Sequence, residues 1–247
     1  MHLIDASLPG ITPVPITALD LRLGPGKWAF AEEEKTRIAE HWCKLADEYP
    51  KIWNGDVLIC SQARLTGTEL SGQFLRTDYA SFVAWRDWGW PDKTVCNCFG
   101  SAAVLSNDKA LLYGRMAGHT LNPGKIYPPG GSLEMQDVSR DGRVDVMGSL
   151  IRELEEETGL KAADADKGEL LAIFDGHRLS VAQVFHFAGS AEALVSQVRH
   201  YLQSAHEDEL SDVEIVNSTS QIDSTMPPYA IALAQYLVGG LDRKTPT

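Results

Sequence analysis

The chain has 247 residues, 44% of them hydrophobic and 23% charged, which is enough length and apolar content for a full globular core. Its formal net charge of −12 repels nucleic acid polymers and anionic lipid, so a small phosphorylated partner is compatible with it only through a bridging cation. The opening MHLIDASLPG has no basic-then-apolar leader, and no run approaches the roughly 18 apolar residues of a membrane span, so a cytoplasmic protein with no membrane partner is expected.

Two regions are expected, 1–93 and 94–247. In the first, ITALDLRL reads as a strand, and AEEEKTRIAEHWCKLADEYP places Ile38, Trp42, Leu45 and Ala46 at helical spacing, predicting one amphipathic helix that ends at Pro50. NGDVLICSQARL and GQFLRTDY read as strands. YASFVAWRDWGW brings Phe82, Trp85 and Trp88 within helical reach, which completes a small α+β unit. In the second region TVCNCFGSAAVLSNDKALLYGRM predicts a hairpin turning at Ser106-Asn107-Asp108. Cys96 and Cys98 alternate along its first strand; with Cys43 and Cys60 they make neither a disulfide framework nor a zinc site. The pattern from Asp145 to Thr158 is helical and stops at Gly159, LLAIFDG, SVAQVFHFAG and DVEIV read as strands, and PPYAIALAQYLVG reads as a closing helix. The expected fold is α/β (α+β), an α/β/α sandwich around a mixed sheet, with a small N-terminal α+β extension.

The chemistry concentrates in Arg152-Glu153-Leu154-Glu155-Glu156-Glu157-Thr158-Gly159-Leu160. On a helix, Glu153, Glu156 and Glu157 stand at i, i+3 and i+4 on one face, beside an apolar stripe of Met147, Leu150, Ile151 and Leu154. Three neighbouring carboxylates raise one another's pKa, a cost that a hard oxygen-seeking cation such as Mg²⁺ or Mn²⁺ relieves. A solvated acidic face is the bland alternative for such a run. Upstream, Pro128-Pro129-Gly130-Gly131 can turn tightly and bring backbone close to a ligand.

With these residues the chain resembles the Nudix hydrolases, whose pattern is Gly, five residues, Glu, seven residues, then Arg-Glu-apolar-x-Glu-Glu-x-Gly-apolar. Residues 152–160 match the whole second half. The resemblance implies that Glu153, Glu156 and Glu157 hold metal, that Arg152 orients the carboxylates, and that Gly131 is the loop glycine whose carbonyl reaches the metal. The first half departs from the pattern. Counted back from Arg152, the place of the family's first Glu falls on Val144, and counted forward from Gly131 it falls on Asp137, so about six or seven residues are inserted within DVSRDGRVD. Asp137 or Asp145 is expected to substitute, and an idle surface loop is the bland reading of the insertion.

The activity implied is metal-dependent hydrolysis of the diphosphate linkage in a nucleoside diphosphate derivative, a small-molecule partner. A carboxylate accepts the proton of the attacking water: one of the three glutamates, or Glu209 or Glu207 in AHEDEL ahead of the strand-like DVEIV. His177, His186 and the tryptophans at 85, 88 and 90 are read as structural, although the tryptophans could stack on a base. Trp53-Asn54-Gly55-Asp56 and Leu75-Arg76-Thr77-Asp78-Tyr79 look like the N-terminal portion of the UDP-glucose pyrophosphatase branch. That likeness implies a UDP-sugar such as UDP-glucose, split to UMP and sugar 1-phosphate, with Asn54, Thr77 and Asp78 in the substrate pocket. ADP-ribose and coenzyme A are the alternative substrates. A catalytically silent nucleotide-binding domain is the alternative of another class, and it conflicts with an intact set of Arg152, Glu153, Glu156, Glu157 and Gly159.

Overall fold

The run expected as one strand, ITALDLRL, divides at Thr17 between two sheets. In the computed structural model, which describes residues 11–204 and 209–242, β1 (Val14–Ile16) pairs antiparallel with β9 (Ala165–Asp175) at the edge of a seven-stranded sheet. β2 (Ala18–Leu23) instead pairs parallel with β5 (Glu69–Asp78) in a four-stranded sheet that also holds β3 (Asp56–Cys60) and β4 (Arg64–Thr66). Residues before position 93 therefore enter both sheets.

The larger sheet has the order β1-β9-β10-β6-β7-β11, built with β6 (Asn97–Leu105), β7 (Leu111–Met116), β10 (Arg178–Phe187) and β11 (Leu210–Val216), and β8 (Ile126–Tyr127) pairs with β7. β10 runs parallel to β6 while the other pairs are antiparallel, so the sheet is mixed. Alternation along β6 sends Ala102 and Val104 to one face, where they meet Leu150 and Leu154 of α4 (Val146–Thr158) and Leu194 and Val198 of α5 (Ala191–Ser204). Ala103 and Leu105 go to the other face, against Ala230, Leu233 and Val238 of α6 (Pro228–Asp242). Helices on both faces of a mixed sheet make the α/β/α sandwich that the sequence pattern implies. The sequence reading did not anticipate α5. Among the described residues no helix is long and apolar enough to cross a membrane.

The smaller sheet is buried on one face, and on the other only where β3 lies, since Ala18, Asp20, Arg22, Glu69 and Gln73 are exposed. Leu21, Leu58, Leu70 and Phe74 join the core beneath α4, while Val57 and Ile59 face α1 (Ala29–Glu33), α2 (Lys35–Glu48) and α3 (Tyr79–Asp87) through Trp28, Ile38 and Trp85. The helix expected over 31–50 is two helices, divided at Glu34.

Both outer strands of this sheet are stitched to the rest of the chain. On the β3 side, Leu58 donates its amide to the Leu133 carbonyl at 2.8 Å, and Cys60 and Cys96 exchange amide bonds of 2.9 and 2.8 Å. On the β2 side the partner is the insertion itself. Residues 138–144 form a small hairpin, with Val138 bridged to Val144 and the Ser139 amide donating to the Arg143 carbonyl at 2.8 Å. Its returning arm pairs with β2: the Leu23 amide donates to the Gly142 carbonyl and the Val144 amide to the Leu21 carbonyl, each at 2.9 Å. The reading of the insertion as an idle surface loop is thereby corrected. Its backbone groups satisfy an otherwise open strand edge.

Candidate active site

α4 starts and stops on local signals. The Asp145 carboxylate caps it by accepting the Gly148 amide at 2.8 Å, and Gly159 ends it at φ +69°, a left-handed position that leaves no room for a side chain beside the Tyr201 ring. Between these caps Leu150 and Leu154 face the sheet, and Glu153, Glu156 and Glu157 line a cavity of about 620 Å³. Glu209, immediately before β11, lines the same cavity; so do Gly130 and Gly131. A recess of about 120 Å³ is lined by Glu153, Glu156, Glu157, Glu209 and Leu210. The four glutamates named from sequence are thus brought to one place.

Gly130 has to be glycine here, because a methyl group on its α-carbon would lie 2.1 Å from the Gly100 carbonyl oxygen; at Gly131 a methyl would lie 2.7 Å from the Glu153 carboxylate and push that side chain aside. Glu157 is buried and accepts the Gly130 amide; burial, reinforced by Glu153 and Glu209, pushes its pKa far above the usual carboxylate range. Burial also lifts Glu153, to about 7, against the opposing pull of Arg152 and with help from Glu156 and Glu209. Arg152 is the local answer to this charge. Its Nη1 donates to Asp137 Oδ1 at 2.8 Å, its Nη2 lies 3.5 Å from Glu153 Oε1, and its Nε lies 3.9 Å from Glu156 Oε2. Among the described residues no three acidic, histidine or cysteine side chains converge closely enough to form a ready cation cage. The donor set still suits a hard divalent ion, because a buried Glu157 answered by one amide, with Glu153 and Glu209 beside it, is an undercompensated negative site.

Neither aspartate proposed to replace the family's first Glu lines the cavity. The Asp137 side chain is 2% exposed; it holds Arg152 through Oδ1 and accepts the Glu134 amide through Oδ2 at 2.8 Å, while Asp145 caps the helix. Val144 is buried and bonded to β2. Asn54, Thr77 and Asp78 also lie off the lining, which corrects their expected placement. The Asn54 amide oxygen accepts the Ala80 N–H and the Asp78 carboxylate accepts the Ser81 N–H, both at 2.8 Å, so both side chains cap α3. Thr77 turns its hydroxyl into the interior without a partner. Their neighbours reach the cavity instead: Trp53, Gly55, Asp56 and Tyr79, joined by His119, Asn122 and Glu134. For Asp78, its place directly before α3 was the available signal of a cap; Asn54 reaches the same helix start from 26 residues away, which no local signal marks. Glu207 lies outside the described residues. His177 stacks on Trp90 and His186 neighbours Gly168, both away from the glutamates.

No family model matches the chain, and a search of curated proteins finds no match. Solved structures do resemble part of it. A Nudix hydrolase from M. smegmatis, RenU, is 14% identical over 61% of this chain and 87% of its own, with a TM-score of 0.37. The NUDIX domain of Shewanella oneidensis NrtR, complexed with ADP ribose, is 13% identical over 61% of this chain and 89% of its own, at 0.40. A bifunctional NMN adenylyltransferase/ADP ribose pyrophosphatase from Francisella tularensis, complexed with AMP and a Mn ion, is 19% identical over 64% of this chain and 45% of its own, also at 0.40. Two of the three carry the Nudix name. These are overlaps of part of the backbone, and the sandwich described above rests on its own topology.

Proposed function

We propose that the chain is a Nudix-type pyrophosphohydrolase that cleaves the diphosphate bond of a nucleoside diphosphate derivative, with Mg²⁺ or Mn²⁺ as cofactor and a UDP-sugar as preferred substrate. The observation that carries this reading is the gathering of Glu153, Glu156, Glu157 and Glu209 around one recess, next to a glycine loop that packs against the Glu153 carboxylate. A bound divalent cation would neutralise the diphosphate and acidify a water. The chain's own part is to hold the charge in place. Arg152, anchored by buried Asp137, keeps Glu153 and Glu156 in position, Glu157 presents a carboxylate fixed by the Gly130 amide, and Glu209 stands at the rim to accept a proton. Preference for a UDP-sugar is supported by the sequence likeness of the N-terminal region, whose Trp53, Asp56 and Tyr79 form one wall of the cavity.

The test is incubation of purified protein with nucleotide sugars, ADP-ribose and coenzyme A, with Mg²⁺ and after exhaustive chelation. The expected result is release of UMP and sugar 1-phosphate from UDP-glucose in Mg²⁺ and none in chelator. Binding without turnover of any of these molecules would identify a silent nucleotide-binding domain. Full turnover in chelator would overturn the metal assignment.

A further inference from the structure

The acidic cavity does not end at the glycine loop. Across Gly130, Gly131 and Ser132, with Tyr79, Asn122 and Tyr127 as shared walls, it adjoins a second chamber of about 580 Å³. The charge reverses there. Among the described residues, Arg86, Lys125 and Arg178 line this chamber and no aspartate or glutamate does, in a protein of net charge −12. Its walls also include Phe82, Trp90, Phe99 and Tyr229. The cations have neighbours of their own: Arg86 bonds Asp87 at 2.8 Å, Arg178 bonds Asp175 at 2.6 Å and lies over the Tyr229 ring, and Lys125 donates to the Ser224 carbonyl at 3.1 Å. They are held in place rather than free to swing away.

Trp90 is the least ordinary of these walls. A bulky residue ahead of a proline is normally extended, yet Trp90, followed by Pro91, takes φ +60°. The conformation is maintained by its amide bond to the Trp85 carbonyl at 2.9 Å and by ring contacts on two sides, edge-on to Trp85 at 4.4 Å and stacked on His177 at 5.9 Å. The Trp90 ring thus packs on the core around Trp85 and, at the same time, forms part of the chamber wall.

We propose that this second chamber binds the base-bearing half of the substrate, with Trp90 as a specificity-determining wall. The proposal rests on the hydrolase reading and adds to it a division of the cleft. The diphosphate lies at the shared glycine wall, the metal-binding carboxylates sit on one side, and the nucleoside enters the aromatic chamber on the other. Aromatic faces take up planar heterocycles, and the cations at the boundary favour the attached phosphate. The chamber has no carboxylate among its described walls, whereas the acidic cavity offers Asp56, Glu134 and Gln136 to sugar hydroxyls, which assigns the non-nucleoside moiety to the acidic cavity.

The test needs no turnover. Metal-free calorimetry with UMP and AMP, against ribose 5-phosphate as the probe lacking a base, should show the nucleotides binding about tenfold or more tightly than the sugar phosphate. Trp90→Gly, which relieves the backbone while removing the ring, and Ile231→Trp, which enlarges a side chain lining the chamber from α6, should each weaken nucleotide binding by about tenfold, and Trp90→Phe should restore most of it. In the hydrolysis assay the same variants should act on KM rather than kcat. If Trp90→Gly fails to fold, Ile231→Trp still decides the point. Equal affinity for ribose 5-phosphate and the nucleotides, or nucleotide binding unchanged in Ile231→Trp, would overturn the proposal whether or not the protein hydrolyses anything. Chamber-dependent nucleotide binding with no hydrolysis of any diphosphate would uphold the chamber and sink the hydrolase reading.

Discussion

At the acidic end of the cleft one helix of 13 residues supplies Arg152, Glu153, Glu156 and Glu157, and all four stand where helical periodicity puts them. At the aromatic end Phe82 and Arg86 come from α3, Trp90 from the turn after it, Phe99 from β6, Arg178 from β10 and Tyr229 from α6. At the acidic end one helix supplies most of the charge and the fold adds Glu209 and the glycine loop, whereas the aromatic end has no single dominant source. The difference teaches that a cluster of charge can be laid down largely by one helix, whereas an enclosing aromatic wall needs surfaces from several elements.

The harshest way to break this comparison is truncation. A fragment beginning at Lys93 lacks β1, the whole smaller sheet, α3 and Trp90, and leaves the α4 core without Leu21, Leu58, Leu70 and Phe74. Loss of cooperative thermal unfolding and of soluble expression is expected; a folded, fully active fragment with unchanged substrate preference would show that the aromatic end is dispensable. Next come Glu156→Gln and Glu157→Gln, which preserve shape and helix propensity while removing a charged oxygen donor. Each should lower kcat by about 100-fold or more at saturating Mg²⁺, with the far-ultraviolet circular dichroism spectrum unaltered. Near-normal turnover in both would remove the acidic end from the reaction.

Arg152→Met asks how the acidic end is held. It leaves Asp137, whose side chain is 2% exposed, without its ionic partner, and a loss of about 3 kcal/mol in chemical denaturation is expected, moderated because Arg152 keeps some water contact. Asp137→Asn should cost less, since the amide still accepts from Glu134. The smallest effect sharpens the boundary between structure and recognition. Asp78→Ala removes the cap of α3 and should lower stability by about 1 kcal/mol without moving KM, the opposite of what a substrate contact would do.

The sequence made the sandwich legible because its signals are short in range. The turn at Ser106-Asn107-Asp108, the Asp145 cap and the Gly159 stop each operate within a few residues, and the structure has a hairpin and a helix there. The glutamates were legible for the same reason. Other features depended on contacts made far along the chain. Nothing within ITALDLRL says that Ile16 pairs with Leu170 while Ala18 pairs with Glu69. Asp78 stands directly before α3, where an aspartate calls for a cap, whereas Asn54 precedes a strand and reaches the Ala80 amide 26 residues away, a contact its own neighbours do not announce; the cavity wall passes to Trp53, Asp56 and Tyr79. The apolar spacing of Leu194, Val195 and Val198 contained α5, but it stood between strong strand signals and went unread.

The hairpin over 138–144 leaves and rejoins the chain at nearly one point, because the Asp145 amide donates to the Asp137 carbonyl at 2.8 Å. Material can therefore be added or removed between those residues without rotating α4 about its axis or moving Gly131 from Glu153. Distance along the chain ceases to be a ruler across this junction. A motif of fixed length stretched from the glycine loop to the glutamate helix passes over such a protein, whereas two half-motifs separated by an elastic gap find it. The loop between them is free to take up work, here the closing of a strand edge.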